Sequence, residues 1–338
     1  MTQTTKPRFE ILADTDPTQE NTRFEGFLTD VLLGLTSDTK RLHSKYIYDN
    51  EGSRLFSQIM ELEEYYPTRC EKEILENHKE YFAALAAGEP FNLVELGAGD
   101  GRKTKILLKH FLEKDLDFQY IPIDISEEAI KGLLAQFAEA YPGLEMKGLV
   151  AEYFRGLRWL KNSSERRNFV LFMGSNIGNF NLPQAGDFLR SLWNSLHDGD
   201  LVAIGFDLQK DLDTLRSAYN DSKGVTAQFN LNLLKRINRE LGGEFDLDNF
   251  RFYSTYNPNS GAIESFLISL KEQEVHIAEL DRSFTFHKWE PIHTEYSFKY
   301  NLRGVEQLAA SAGFKIEKHL TDSQGYFLNS LWRVRKDV

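Results

Sequence analysis

Along the first part of the chain the hydrophobic residues repeat at helical spacing. Phe24, Phe27, Leu28, Val31, Leu32 and Leu35 share one face, which predicts a helix over Phe24–Leu35. The tyrosine-rich stretch KYIYDNEGSRLFSQIMELEEYYPTR, Lys45 to Arg69, holds a second helix that starts near Asn50 and stops before Pro67. A third runs from Glu71 to Ala87 and ends at Gly88 and Pro90. The texture then changes. Short apolar runs at Phe91–Leu96, Tyr120–Ile125, Lys147–Val150, Asn168–Met173 and Asp200–Phe206 read as strands. Lys103–Leu112, Glu127–Tyr141 and Phe188–Leu196 read as helices between them. Such alternation predicts an α/β fold with a parallel, doubly wound sheet.

After Asp211 the alternation stops. Leu212–Asn220 and Thr226–Leu241 have helical spacing, the latter ending at Gly242-Gly243, a C-cap signal. Phe252–Tyr256, Ala262–Leu270 and Ser283–Trp289 have strand character, Val305–Ala312 reads as a helix closed by Gly313, and Phe327–Val334 as a last strand. The final helix and strand are expected to return to the main sheet. The predicted organisation is one domain from 70–210 plus 298–338 and a second from 20–69 plus 211–297. The first twenty or so residues are polar and are expected to be poorly ordered.

Composition narrows the function. With 41% hydrophobic residues, the chain of 338 residues has ample material for a folded core. A net charge of −11 and the lack of a Lys/Arg block argue against a nucleic-acid partner. The single cysteine, Cys70, cannot form an internal disulfide and suits a reducing compartment. No apolar run approaches a membrane span, and the start MTQTTKPRFEILADTDPTQE lacks a signal-peptide pattern. A soluble, cytoplasmic, monomeric protein acting on a small molecule, with no nucleic acid, no membrane and no metal, is the expectation.

The most informative segment is VELGAGDGRKT, Val94 to Thr104, in which an acidic residue ends a strand and a glycine-rich turn leads into a helix. Glycine lets backbone pass close to a ligand with no Cβ in the way. A dinucleotide fingerprint would place a third glycine where this chain has Arg102. The spacing is instead E-x-G-x-G-x-G, from Glu95 through Gly97 and Gly99 to Gly101, which resembles motif I of the Rossmann-like methyltransferases. Asp124, in YIPIDIS at the end of the second strand, has the chemistry to accept both hydrogen bonds of a ribose diol. Glu152 and Tyr153 follow the third strand, where such folds contact adenine. Each alone reads as a solvated acid or a core ring; in register on successive strands they favour a ligand.

KYIYDNEGSRLFSQIMELEEYYPTR, VELGAGDGRKT, YIPIDIS, LFMGSNIGNF, DLQKD, AYNDSKGVTAQFNLNLLKRINRELGGEFDLDNF and HTEYSFKY together resemble the histidine Nα-methyltransferases of ergothioneine biosynthesis. Those enzymes convert histidine to its trimethylated betaine, hercynine. The resemblance covers most of the chain beyond residue 40 and implies a Rossmann-like class I methyltransferase sheet with a second, substrate-binding domain. It also implies S-adenosyl-L-methionine as cofactor, with Gly97, Gly99, Lys103, Asp124, Glu152 and Tyr153 as the cofactor set. By the same similarity Asn179 and Tyr219 hold the substrate carboxylate with Tyr65 beside it, and Tyr48 lies next to the amine as the catalytic residue. Glu295 and Ser297 face the imidazole nitrogens, and Ser265 lies next to the substrate. Two departures stand out. Ser265 replaces the Met usual in the family's histidine enzymes, and Glu152-Tyr153 replaces Asp-Phe.

The residue types suit the chemistry. A carboxylate and a hydroxyl satisfy both ring nitrogens of histidine. Methyl transfer is an in-line displacement in which alignment dominates, and the amine must first lose its proton. No histidine lies in the amino-acid set, so deprotonation is expected to run to water, helped by Tyr48 and an apolar surround. Relatives in the superfamily methylate prenylated tryptophan, so tryptophan, tyrosine and prenylated tryptophan stand as alternative substrates. A buried indole would leave Glu295 unpaired, which argues against them. A nicotinamide-dependent oxidoreductase and an inactive amino-acid-binding protein are the competing classes.

Overall fold

A computed structural model of the protein describes residues 8–12, 19–163 and 165–336. Along the chain, β1 (Arg8–Ile11) precedes α1 (Gln19–Thr36), α2 (Asn50–Ile59) and α3 (Tyr66–Ala86). An alternating stretch follows: β2 (Phe91–Leu96), α4 (Thr104–Glu113), β3 (Phe118–Asp124), α5 (Glu127–Ala140), β4 (Lys147–Val150), α6 (Tyr153–Ser163), β5 (Arg167–Phe172), α7 (Leu182–Ser195) and β6 (Leu201–Asp207). Next come α8 (Leu212–Ala218), α9 (Val225–Leu241), β7 (Phe250–Asn257), β8 (Ala262–Ser269), β9 (Gln273–Ile277), β10 (Arg282–Phe286) and β11 (Pro291–Phe298). The chain closes with α10 (Leu302–Ser311), β12 (Phe314–Thr321) and β13 (Phe327–Val334).

It divides into two units, one of Met1–Ala13, Arg69–Gln209 and Tyr300–Val338, the other of Asp14–Thr68 and Lys210–Lys299. The first unit is built on an eight-stranded sheet in the order β1-β4-β3-β2-β5-β6-β13-β12. Strands β1 through β6 pair parallel, while β13 runs antiparallel to both β6 and β12. Every residue of β2 is buried, as a central parallel strand covered on both faces requires. Strand order reverses between β2 and β5, so the loops after these strands flank the switch point where α/β sheets bind ligands.

The second unit has a three-stranded antiparallel sheet, β11-β8-β7, and a two-stranded one, β10-β9. Helix α9 packs beside α2 and contributes Phe229, Leu233, Leu234 and Ile237 to the core; Gly242 at φ +62 ends it, as its sequence signals.

Several expectations need correction. Arg8–Ile11 is not loose: it pairs in parallel with Lys147–Val150 at the sheet edge. The rest of that polar start, residues 1–7 and 13–18, lies outside the described residues. The helix from Asn50 stops at Ile59, and Pro67 opens the next one instead, where its missing N–H costs nothing. Strand β12 was hidden by its polar edge sequence FKIEKHLT, and helix α6 by Gly156 in its interior. A Cβ at Gly156 would come 2.8 Å from Ile123, so the glycine that spoils the helical pattern is what lets α6 lie close to β3.

Candidate functional site

In the first unit the candidate residues collect at the carboxyl ends of the parallel strands. The turn after β2 carries Gly97 at φ +70 and Gly99 at φ +53, left-handed conformations that side chains disfavour. A Cβ on Gly97 would lie 2.8 Å from the Tyr153 hydroxyl, whereas around Gly99 nothing lies within 4 Å. Gly97 is therefore fixed by packing, and Gly99 presents open backbone. Its N–H donates to Asp124 Oδ2 at 3.2 Å, and the Ser126 N–H donates to Oδ1 at 2.9 Å. Burial pushes the Asp124 carboxyl above its ordinary range against these bonds.

Glu95, which opens the motif, does not face a ligand. It is 3% exposed and accepts from Thr104 Oγ1 and the Tyr120 hydroxyl, both at 2.5 Å. Burial pushes its carboxyl up to about 7. It fastens β2 to β3 and to the start of α4, and so sets the glycine turn. Tyr153 begins α6 with its ring edge-on to Phe172 and Phe188, and burial pushes its phenol above the ordinary tyrosine value. Glu152, just before it, is exposed.

Lys103 is tied by its ammonium to Glu71 Oε2 at 2.5 Å. Glu71 is 1% exposed and also accepts the Gly174 N–H. Neither Glu71 nor Gly174 was singled out in sequence; the glycine of LFMGSN, directly after a strand, was the available signal. Asn179 ends the short 3-10 turn Asn176–Asn179 after β5 and does not cap α7, which Asn181 and Gln184 close with a capping box.

These residues fit an S-adenosyl group. Open backbone at Gly99, a half-buried carboxylate at Asp124 and an exposed one at Glu152 offer acceptors for a diol and a neutral base. The guanidinium of Arg102 pairs with Asp100 at 2.7 Å, so the turn is not arranged around a pyrophosphate.

The second unit gathers its candidates into one constellation. Tyr48 packs edge-on against Phe56 and Phe229, Phe56 against Tyr65, and Tyr65 against Tyr219 with ring centroids 6.0 Å apart. Asp49 holds this row in place: it caps α2 through the Gly52 N–H and accepts from Asn232 and Arg239 of α9. Tyr219 sits at the C-cap of α8, its carbonyl held by the Ser254 hydroxyl at 3.0 Å.

On the sheet, Glu295 of β11 lies directly opposite Ser265 of β8, and Ser265 opposite Ser254 of β7. A register shift between His293 and Glu295 sets that alignment. Cross-strand partners share a face, so Ser265, 2% exposed, lies beside Glu295. Burial pushes the Glu295 carboxyl up to about 7, opposed by the charge of Lys299. Ser297 is bonded to the Tyr219 hydroxyl at 2.8 Å. Lys299, which sequence reasoning passed over, donates to both, at 2.6 Å to Ser297 and 2.8 Å to Tyr219. Its signal was available: Glu295, Ser297 and Lys299 in HTEYSFKY continue the same two-residue period.

Comparison with known proteins identifies the family. A family model described as histidine-specific methyltransferase, SAM-dependent, matches residues 27–334. The chain is 37% identical over 307 residues to the histidine N-alpha-methyltransferase of Mycolicibacterium smegmatis, spanning 91% of this chain and 94% of that one. It is 36% identical over 302 residues to the enzyme of the same name from Mycobacterium tuberculosis, spanning 89% and 93%. It is also 28% identical over 302 residues to the L-tryptophan methyltransferase trpM of Psilocybe serbica, spanning 81% and 83%. The chain belongs to the histidine-specific, S-adenosylmethionine-dependent methyltransferase family, an α/β enzyme of Rossmann-like class I type.

Proposed function

We propose that this protein methylates the α-amino group of free L-histidine, through to the trimethylated product, in the cytoplasm. The observation that carries the reading is Glu295: a half-buried carboxylate that takes no hydrogen bond from any described residue, two positions from a buried hydroxyl on the same face. A neutral imidazole supplies what that pair lacks, an N–H for Glu295 and a second nitrogen for Ser297. An indole, expected from sequence to leave Glu295 unpaired, does carry one N–H that a carboxylate accepts, but it has no second nitrogen and so meets only half of the pair. The two mycobacterial relatives carry histidine in their names, and the Psilocybe relative, less similar, carries tryptophan in its name.

S-adenosylmethionine supplies an electrophilic methyl group on a sulfonium. Asp124 and Glu152 bind its adenosine, and the open backbone at Gly99 allows its close approach. Asn179 takes the substrate carboxylate as a neutral donor, leaving the amine free to turn. Tyr48, between the rings of Phe56 and Phe229, receives the amine in an apolar surround that favours the uncharged form. The proton leaves to water before transfer. Tyrosine faces tolerate the methylated ammonium as positive charge becomes permanent.

Competition decides the substrate. Incubation with S-adenosylmethionine and an equimolar mixture of the twenty amino acids, followed by mass spectrometry, is expected to show mono-, di- and trimethylated histidine. Methylation of tryptophan or tyrosine in preference to histidine would replace this reading with the alternative.

A further inference from the structure

Strand alternation sets Glu295 and Ser297 on one face of β11, and just past the end of the strand lies the buried ammonium of Lys299. Lys299 is 4% exposed, with Nζ 4.2 Å from the centroid of the Tyr219 ring. Nζ donates to Ser297 Oγ at 2.6 Å and to the Tyr219 hydroxyl at 2.8 Å, and those two oxygens are themselves 2.8 Å apart. The three groups close a triangle.

The polarity of that triangle follows from the chemistry of its members. An ammonium has donors only, so both oxygens accept from it. A phenol is far more acidic than an aliphatic hydroxyl, so across the Tyr219–Ser297 contact the phenol donates and the serine accepts. Ser297 Oγ then accepts from Lys299 and from Tyr219, which uses both its lone pairs. What it keeps is its own O–H. Without the ammonium the serine hydroxyl would be free to rotate and to serve as acceptor.

We propose that Lys299 is a positioning residue that fixes Ser297 as a hydrogen-bond donor to the amino-acid side chain. The site then takes a neutral ring with an unprotonated nitrogen at Ser297 and an N–H at Glu295, and excludes the imidazolium. This rests on the histidine reading above. It also explains a buried cation that an apolar side chain of similar length would replace without loss of packing, since buried ionic groups seldom add net stability.

A double-mutant cycle in the full-length protein tests it, with histidine kcat/KM and calorimetric affinity as readouts. Lys299→Met is expected to lower histidine kcat/KM at least tenfold in the wild-type background and less than threefold in a Ser297→Ala background. S-adenosylhomocysteine affinity, measured on each variant, is expected to stay within twofold and reports that the chain is folded. The second arm is 2-thienylalanine, a ring of similar size with no nitrogen. Lys299→Met is expected to lower the ratio of histidine to thienylalanine affinity at least tenfold, a change that common losses through packing or Tyr219 cannot produce. Equal losses in both backgrounds, or an unchanged ratio, would overturn the proposal. A wild-type protein that takes no histidine overturns the histidine reading and this inference with it; one that takes histidine with additive losses overturns this inference alone.

Discussion

The two units arrange their candidate binding groups by different means. In the first, the candidates centre on a backbone turn, open at Gly99, whose surrounding N–H groups hold the Asp124 carboxylate in place. In the second they are side chains from separate elements, with Tyr219 at the end of α8 joined to Ser297 and Lys299 on and just past β11. A backbone site tolerates few substitutions because the chain's own path is the binding surface. A side-chain site keeps its frame while single residues change what it accepts, which fits a family whose members are named for histidine and for tryptophan.

The largest effect is expected where the backbone has no room. Gly97→Val places a branched side chain at φ +70, with its Cβ 2.8 Å from the Tyr153 hydroxyl. Left-handed strain and overpacking together are worth about 3 kcal/mol, so S-adenosylhomocysteine affinity by calorimetry should fall about 100-fold. Unchanged affinity would mean that the turn is not the donor surface.

On the side-chain half, Glu295→Ala should lower histidine kcat/KM by about 1.5–3 kcal/mol, the range for hydrogen bonds to charged groups, with donor affinity untouched. Tryptophan, measured in parallel, should lose less than threefold or improve. An equal loss for both amino acids would make Glu295 a structural residue.

A smaller effect concerns pH. The Glu295 carboxyl, raised from 4.5 to about 7 by burial, binds its proton more tightly folded than unfolded. The folded chain therefore holds more protons between these values, and stability falls as pH rises through that window. Glu295→Gln removes this contribution. The ligand-free variant should be more stable than wild type above pH 7, by about 1–2 kcal/mol once its own buried amide is counted, with little difference at pH 4.5. Thermal unfolding at the two pH values measures it; a constant offset would contradict the raised carboxyl. Smallest is Ser265→Met, beside Glu295: histidine kcat/KM should change less than threefold, about 0.6 kcal/mol, while tryptophan loses more for lack of space.

The same contrast explains what could be read from sequence. Gly97, Gly99 and Gly101 with Asp124 spell a backbone turn in a few consecutive residues, and the parallel strands announce themselves as apolar runs. Edge strand β12 and helix α6 did not, since exposure made one polar and close packing put Gly156 in the other. The amino-acid set has no local spelling. Tyr48, Tyr219 and Glu295 meet only through tertiary structure, and they were found by resemblance to a family. Lys299 and Glu71 escaped even that, because a buried charge is defined by the groups folded around it and looks in sequence like any solvated residue.

The claim on which the account turns is that the substrate is held by its carboxylate and its ring, with the α-amine left for the methyl group. Transfer from a 13C-methyl donor to histidine, read by carbon–proton NMR, tests this directly. The account predicts methyl signals correlated with the α-carbon and none with the ring carbons. A methyl group on an imidazole nitrogen would contradict it.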